Sequence, residues 1–415
     1  MTNQERLEKY LVGTDDSYLK SGISNGKVIM LSGKWGSGKT HFWKNKIEEN
    51  LKKEKIPNNY ISLYGKTSIQ EIKNEMFLKI FESVDSSELE EKGTKLAKNI
   101  VDLISSFIKS VHINGVKIDL STASDSLFGH IENFLENKKL KKTVEYLNNG
   151  AIICFDDFER KSKDIDLNDL FGFITQLTLN FDCKVVIILN DDVFEGEEKK
   201  IFSNVKEKSV SKFLKYEPSI KDLFETIFED SKYRILDNHK EIILKTIEET
   251  EELNARIYIQ VLDNLVEWIG NKQEIGNDIL RCLILVNINF ILYHTILDRQ
   301  YKSKNRNEYE PFVTHTIQKL LNVGFEYLQN NSVGQGIIEE VNSFDKYIIK
   351  LINKITISKE ISDEKIRIRK QFIENNIILF KSDYFANKLD ISKNVDDKNF
   401  NKINNFIESG ILINE

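Results

Sequence analysis

Apolar residues in this chain follow two kinds of pattern, and the change from one to the other predicts the layout. Val28-Ile29-Met30-Leu31, Ala151 to Phe155 and Lys184 to Leu189 are short apolar runs with almost no polar alternation. Such runs mark strands buried on both faces, as in a parallel sheet. Tyr60 to Tyr64, bounded by Pro57-Asn58-Asn59 and Gly65, reads as another strand, and Phe213 to Glu217, before Pro218, as a short last one. Elsewhere the spacing is helical. Gln4 to Leu11 and His41 to Leu51 read as helices, and so do the stripes Ile69, Ile72, Met76, Ile80, Phe81 and Ile100, Leu103, Ile104, Phe107, Ile108, Val111. Strands alternating with helices predict an α/β fold, a three-layer parallel sheet covered on both sides.

Beyond about Ser219 only helical periodicity remains, in Leu223 to Ile269, Asp278 to Leu297, Thr314 to Leu328 and Phe344 to Ile355. The reading is an α/β domain over 1–235 with a helical insertion at 66–145, a helical lid at 236–275 and an all-helical C-terminal domain over 276–415. The most apolar stretch, Ile279 to Leu297, has the length of a membrane span. Arg281, Asn287, Asn289 and His294 would be expensive in lipid, so a buried helix is expected and no membrane association. Met1 to Lys20 is polar and charged and does not read as a secretory leader.

Composition narrows this further. A chain of 415 residues suggests two or three domains, and 40% hydrophobic with 10% aromatic residues suits packed globular structure. The net charge of −6 argues against a dedicated nucleic-acid site. The basic clusters Lys138 to Lys142 and Lys365 to Lys370 are flanked by acids and read as solvated faces. Cys154, Cys183 and Cys282 are far apart and form no C-x-x-C, which points to a reducing cytoplasm and to no zinc site. The scattered histidines add no metal-binding pair.

The chemistry concentrates in two places. Gly33-Lys34-Trp35-Gly36-Ser37-Gly38-Lys39-Thr40 fits G-x-x-x-x-G-K-S/T, directly after an apolar strand and before a predicted helix. Glycines let successive N–H groups converge on one hollow, and the helix N-terminus adds positive potential. Gly33, Trp35, Gly36, Ser37, Gly38, Lys39, Thr40 and His41 would line a phosphate cradle, with Lys39 on the β- and γ-phosphates and the Thr40 hydroxyl on Mg²⁺.

The second place is Phe155-Asp156-Asp157-Phe158-Glu159-Arg160, at the carboxyl end of a buried strand. A carboxylate there holds Mg²⁺ in P-loop enzymes, the role expected of Asp156. Asp157 is the candidate base that orients the attacking water, with Glu159 in reserve. Asn190, ending the run Lys184 to Leu189, stands where a sensor of the γ-phosphate is expected. Arg160, Lys208 and Arg256 are the candidate positive sensors, and each also suits a helix-end or core-edge ion pair.

Together these blocks resemble the KAP family of P-loop NTPases, near the AAA+ and STAND ATPases. The tryptophan before G-S-G-K-T and Cys154-Phe155-Asp156-Asp157-Phe158-Glu159-Arg160 carry the likeness, supported by Ile61-Ser62-Leu63-Tyr64-Gly65, Val186 to Asp191, Lys206-Glu207-Lys208 and Asn254-Ala255-Arg256. The resemblance implies a P-loop fold of the additional-strand type, ATP and Mg²⁺ as ligands, and a part in bacterial defence against phages and plasmids. Many relatives carry transmembrane helices after the P-loop, whereas 66–145 is too charged here.

The leading reading is an ATPase switch whose helical half converts nucleotide state into contact with a partner, either other copies of the chain or a separately encoded effector. The rival is a scaffold that binds ATP with little turnover, kept open because Asp157 is one methylene shorter than the usual glutamate base. GTPase is the lesser alternative: Asn387-Lys388-Leu389-Asp390 spells N-K-x-D, but it lies far from the sheet segments and follows no apolar run.

Overall fold

A computed structural model of the chain describes residues 1–84, 138–194, 196–271, 275–292 and 394–412. The chain divides into two compact units, Met1–Pro218 and Ser219–Glu415.

In the first unit, helix α1 (Asn3–Val12) opens on a capping box made by Thr2 and Glu5. Strand β1 (Val28–Ser32) leads into the glycine loop, then α2 (Lys39–Phe42), a π-helical stretch (Trp43–Glu48) and α3 (Glu49–Lys53). Next come β2 (Asn58–Ser62), α4 (Ile69–Ser83), α5 (Lys138–Asn148) and β3 (Ile152–Asp156). Helix α6 (Leu167–Phe181), capped by Asp166, precedes β4 (Lys184–Leu189), α7 (Gly196–Ser209) and β5 (Val210–Lys215).

The five strands run parallel in the order β2-β3-β4-β1-β5. β4 therefore lies between the loop-bearing β1 and the carboxylate-bearing β3, the additional-strand arrangement. Side chains alternate across the sheet as the period of two requires. Val28, Met30, Ile153, Phe155, Val185 and Ile187 face one core with α4 and α6. Ile29, Leu31, Ile152, Cys154, Val186 and Ile188 face another with α1 and the α2–α3 segment. Two helical layers enclose the sheet, which is why β1, β3 and β4 are buried at every position.

Every described element of the second unit is helical. Helix α8 (Ile220–Phe228) starts on a capping box of Ser219 and Asp222. A 3₁₀ segment (Ser231–His239), α9 (Lys240–Glu249), α10 (Ala255–Gly270), α11 (Asn277–Phe290) and α12 (Asp397–Ser409) share one core around Trp268, Leu283, Val286 and Phe406. Helix α11 is buried almost all round, as a core helix should be. No described helix is long and apolar enough to cross a membrane.

Some boundaries differ from expectation. β2 covers Asn58–Ser62 rather than Tyr60 to Tyr64, because pairing with β3 starts at Asn58↔Ile152 and overrides the poor strand propensity of asparagine. β5 starts at Val210, drawn in by its pairing with Val28, and ends at Lys215. The helix read as His41 to Leu51 contains the π stretch. The stripe Ile100 to Val111, most of the 66–145 insertion, Lys365 to Lys370, Asn387 to Asp390 and the helices read at Thr314 to Leu328 and Phe344 to Ile355 lie outside the described residues.

Candidate nucleotide site

Parallel strands place their carboxyl ends along one edge, where open α/β sheets bind ligands. At that edge the Gly33 N–H donates to Leu189 O (3.1 Å), and the Tyr216 N–H donates to Ser32 O (2.7 Å), so β4 and the end of β5 hold the start of the loop. Gly33 must be glycine, since a Cβ there would sit 2.5 Å from the Tyr216 carbonyl oxygen. Gly36 (φ 76°) and Gly38 (φ 93°) take left-handed conformations that favour glycine.

Lys39 is only 8% exposed. Its Nζ donates to Gly33 O (2.5 Å) and Lys34 O (3.0 Å), folding the side chain over the loop. Ser37 is buried within the loop, and its Oγ has no hydrogen-bond partner among the described residues. An orphan hydroxyl and a lysine resting on loop carbonyls both fit a hollow whose polar groups are completed by phosphate oxygens.

Asp156, 2% exposed, collects donors. Thr40 Oγ1 donates to its Oδ2 (2.7 Å), the Tyr60 hydroxyl donates to the same oxygen (2.8 Å), and the Asp157 N–H donates to Oδ1 (2.7 Å). Burial, reinforced by Asp156, holds the Tyr60 hydroxyl far above its ordinary pKa, so it stays a donor. Among the described residues no group of three or more His, Cys, Asp or Glu side chains gathers as for an all-protein metal site. Mg²⁺ in phosphate-binding enzymes needs no such cage: one or two carboxylates, waters and the nucleotide suffice. Thr40 and Asp156 fit that pattern.

The other two acids have different surroundings. Asp157, at φ 55°, accepts from Ser62 Oγ at Oδ2 (2.8 Å) and from Arg160 Nη1 at Oδ1 (3.4 Å). Glu159 accepts from Trp35 Nε1 at Oε1 (2.6 Å), while its buried Oε2 has no partner. Burial raises the Glu159 pKa, and its own N–H, the Trp35 indole, the Asn190 N–H and the charge on Lys39 pull it part of the way back. The bond from Trp35 ties Glu159 to the glycine loop.

The structure thus brings together Gly33, Trp35, Gly36, Ser37, Gly38, Lys39 and Thr40 with Asp156, Asp157, Glu159 and Asn190. His41 is exposed on α2 and bonds Asn45 (2.6 Å). Arg160 packs on Tyr64, its guanidinium 3.9 Å from the ring centre. Lys208 is exposed in the last turn of α7, and Arg256 is exposed in the first turn of α10, in the helical unit. Residues without an assigned role in the sequence also join the site. Tyr60 and Ser62 are i, i+2 neighbours that reach the two aspartates. Ser32 Oγ donates to the Asp191 carboxylate, and Lys206 lies 3.7 Å from it. Polar groups at the carboxyl ends of strands were the available signal.

A family model described as the KAP family P-loop domain matches residues 5–280. The chain belongs to the KAP family. KAP proteins are P-loop NTPases, and the loop, strand order and strand-end acids described above are those of a nucleotide-binding NTPase. Two solved structures are distantly similar to this KAP chain. Cdc6p from Pyrobaculum aerophilum is 11% identical, with 84% of this chain and 80% of that one covered and a TM-score of 0.34. A DNA replication initiation factor is 13% identical, with 95% and 96% covered and a TM-score of 0.33. No curated protein matches the chain at a significant level.

Proposed function

We propose that this KAP protein binds ATP with Mg²⁺, hydrolyses it, and uses the nucleotide state to switch what its helical unit contacts. One observation carries the reading: Thr40 of the loop and Asp156 of β3 meet through a 2.7 Å hydrogen bond, joining a phosphate cradle to a buried carboxylate. Lys39 and the loop amides would bind the phosphates, and Thr40 and Asp156 would hold Mg²⁺. The metal would neutralise charge developing on the transferred phosphoryl group. Glu159 has the environment of the water-orienting base, a half-buried carboxylate beside the glycine loop with a raised proton affinity. Asp157, engaged by Ser62 and Arg160, fixes the strand-end turn instead. Asn190 would sense the γ-phosphate.

Phosphate release tests this. Wild type should release phosphate from ATP with Mg²⁺, Lys39→Ala and Glu159→Gln should not, and Asp157→Asn should retain part of the activity. The reverse order for the two acids would return the base to Asp157. Binding without release in the wild type would make the protein an ATP-dependent scaffold, and stronger competition by GTP than by ATP would make it a GTPase.

The wider role follows the family. Three free, buried cysteines support a reducing compartment, the cytoplasm. Defence against phages, through other copies of the chain or a separate effector, is the setting proposed. Cells expressing the protein should give fewer phage plaques than cells expressing Lys39→Ala. Arg160 would reach a neighbouring copy's nucleotide, and mixing Arg160→Ala with Lys39→Ala subunits should then restore hydrolysis.

A further inference from the structure

We infer that Tyr60 is a positioning residue for the metal carboxylate, fixing Asp156 independently of the groups that touch nucleotide or metal. The inference rests on the reading of Asp156 as the Mg²⁺ carboxylate. β2 pairs with β3 so that Tyr60 lies beside Cys154 and Ser62 beside Asp156. The Tyr60 side chain reaches towards the carboxyl edge and sets its hydroxyl 2.8 Å from Asp156 Oδ2.

Three donors converge on this buried carboxylate, but they are not equivalent. Thr40 sits in the nucleotide loop, and its hydroxyl oxygen is needed by the metal once nucleotide arrives. The Asp157 N–H is the next residue's own backbone and belongs to the strand-end turn. Tyr60 is anchored elsewhere: Lys79 Nζ donates to its carbonyl (2.9 Å), and Lys44 Nζ stands 4.4 Å from its ring centre. Tyr60 also lines a groove of about 500 Å³ together with Lys44, Asn45 and Lys79. The Tyr60 hydroxyl shares Asp156 Oδ2 with Thr40, so it still holds the carboxylate when the Thr40 oxygen turns to the metal. Outer partners of a metal ligand act in this way, and losing one typically lowers metal affinity or activity about 10- to 100-fold.

The test is a titration of nucleotide binding with Mg²⁺, read by a fluorescent ATP analogue. Tyr60→Phe keeps the ring and removes the donor. It should raise the half-saturating Mg²⁺ concentration about tenfold, while affinity for the analogue in excess EDTA stays at the wild-type value. A parallel Mn²⁺ titration by electron paramagnetic resonance should show the same loss without any turnover. Superimposable metal curves for wild type and Tyr60→Phe would overturn the inference, as would an equal loss of affinity in EDTA, the mark of a merely structural residue. Failure of the broader reading looks different: the wild-type protein itself would then show no tightening with metal.

Discussion

Trp35 Nε1 donates to Glu159 Oε1 across 2.6 Å, fastening the exposed edge of the glycine loop to the acid beyond β3. Trp35 is 53% exposed, whereas Trp43 and Trp268 are each 1% exposed. A triphosphate bound at the loop would change the surroundings of Trp35 and leave the other two indoles in their cores. Tryptophan emission should therefore change on addition of ATP and Mg²⁺, and the change should vanish in Trp35→Phe. An undiminished signal in that variant would show that the loop tryptophan does not sense the ligand.

Glu159 predicts a pH dependence of stability. Burial raises its folded-state pKa, so the fold favours the protonated form. Stability from this group is fully present below the ordinary glutamate pKa of about 4.3 and is lost as pH rises through the folded value. Near neutrality the buried charge is a net cost. Glu159→Gln stays neutral and still offers Trp35 an acceptor. It should unfold at higher urea concentration than wild type at about pH 7, with the gain shrinking to nothing towards about pH 4. A gain that persists at low pH would mean that packing, and not charge, is responsible. Stability gained with hydrolysis lost is the trade expected of an active-site acid.

Two glycines should respond oppositely to alanine. At Gly33 the new methyl meets a backbone carbonyl at 2.5 Å, and Tyr216 cannot retreat because its own N–H is bonded to Ser32. Overpacking of this kind costs about 1–3 kcal/mol, so Gly33→Ala should lower the urea midpoint and weaken nucleotide binding. Gly172 lies within α6 with nothing inside 4 Å of the added atom. Gly172→Ala should stabilise by about 0.5–1 kcal/mol through helix propensity. An unchanged or raised urea midpoint in Gly33→Ala would contradict the close approach there.

What could be read from the sequence follows from what local chemistry determines. β1, β3 and β4 announce themselves because burial on both faces leaves an unbroken apolar run. The edge strands β2 and β5 were legible in their apolar parts but not at their starts, since Asn58, Asn59 and Lys212 become strand by pairing with a neighbour. The π stretch after the loop uses residues that suit an α-helix equally well. In the site, the spacing G-x-x-x-x-G-K-T and the acids after Phe155 carry their own chemistry and were legible. The Tyr60 bond to Asp156 and the Trp35 bond to Glu159 join distant segments, and only the sheet order brings them together.

Lys206 and Lys208 give the sharpest case of this kind. They are two residues apart on α7, so they project in different directions, and the sequence alone does not say which one faces the site. Lys206 Nζ lies 3.5 Å from the centre of the Phe213 ring and 3.7 Å from Asp191 Oδ2, while Lys208 is exposed. Asp191 also accepts from Ser32 Oγ, and its N–H returns a bond to that oxygen at 3.4 Å. This clamp joins the ends of β1 and β4 on either side of the cradle and sets the turn that carries Asn190. Both charged groups are partly exposed, so the pair itself adds little to stability, about 0.2–1 kcal/mol. Its larger effect should be on Asn190. Lys206→Ala should slow phosphate release about three- to tenfold, equivalent to about 0.7–1.4 kcal/mol, whereas Lys208→Ala should leave the rate within about twofold of wild type. Equal effects in the two variants would show that the clamp does not reach the nucleotide.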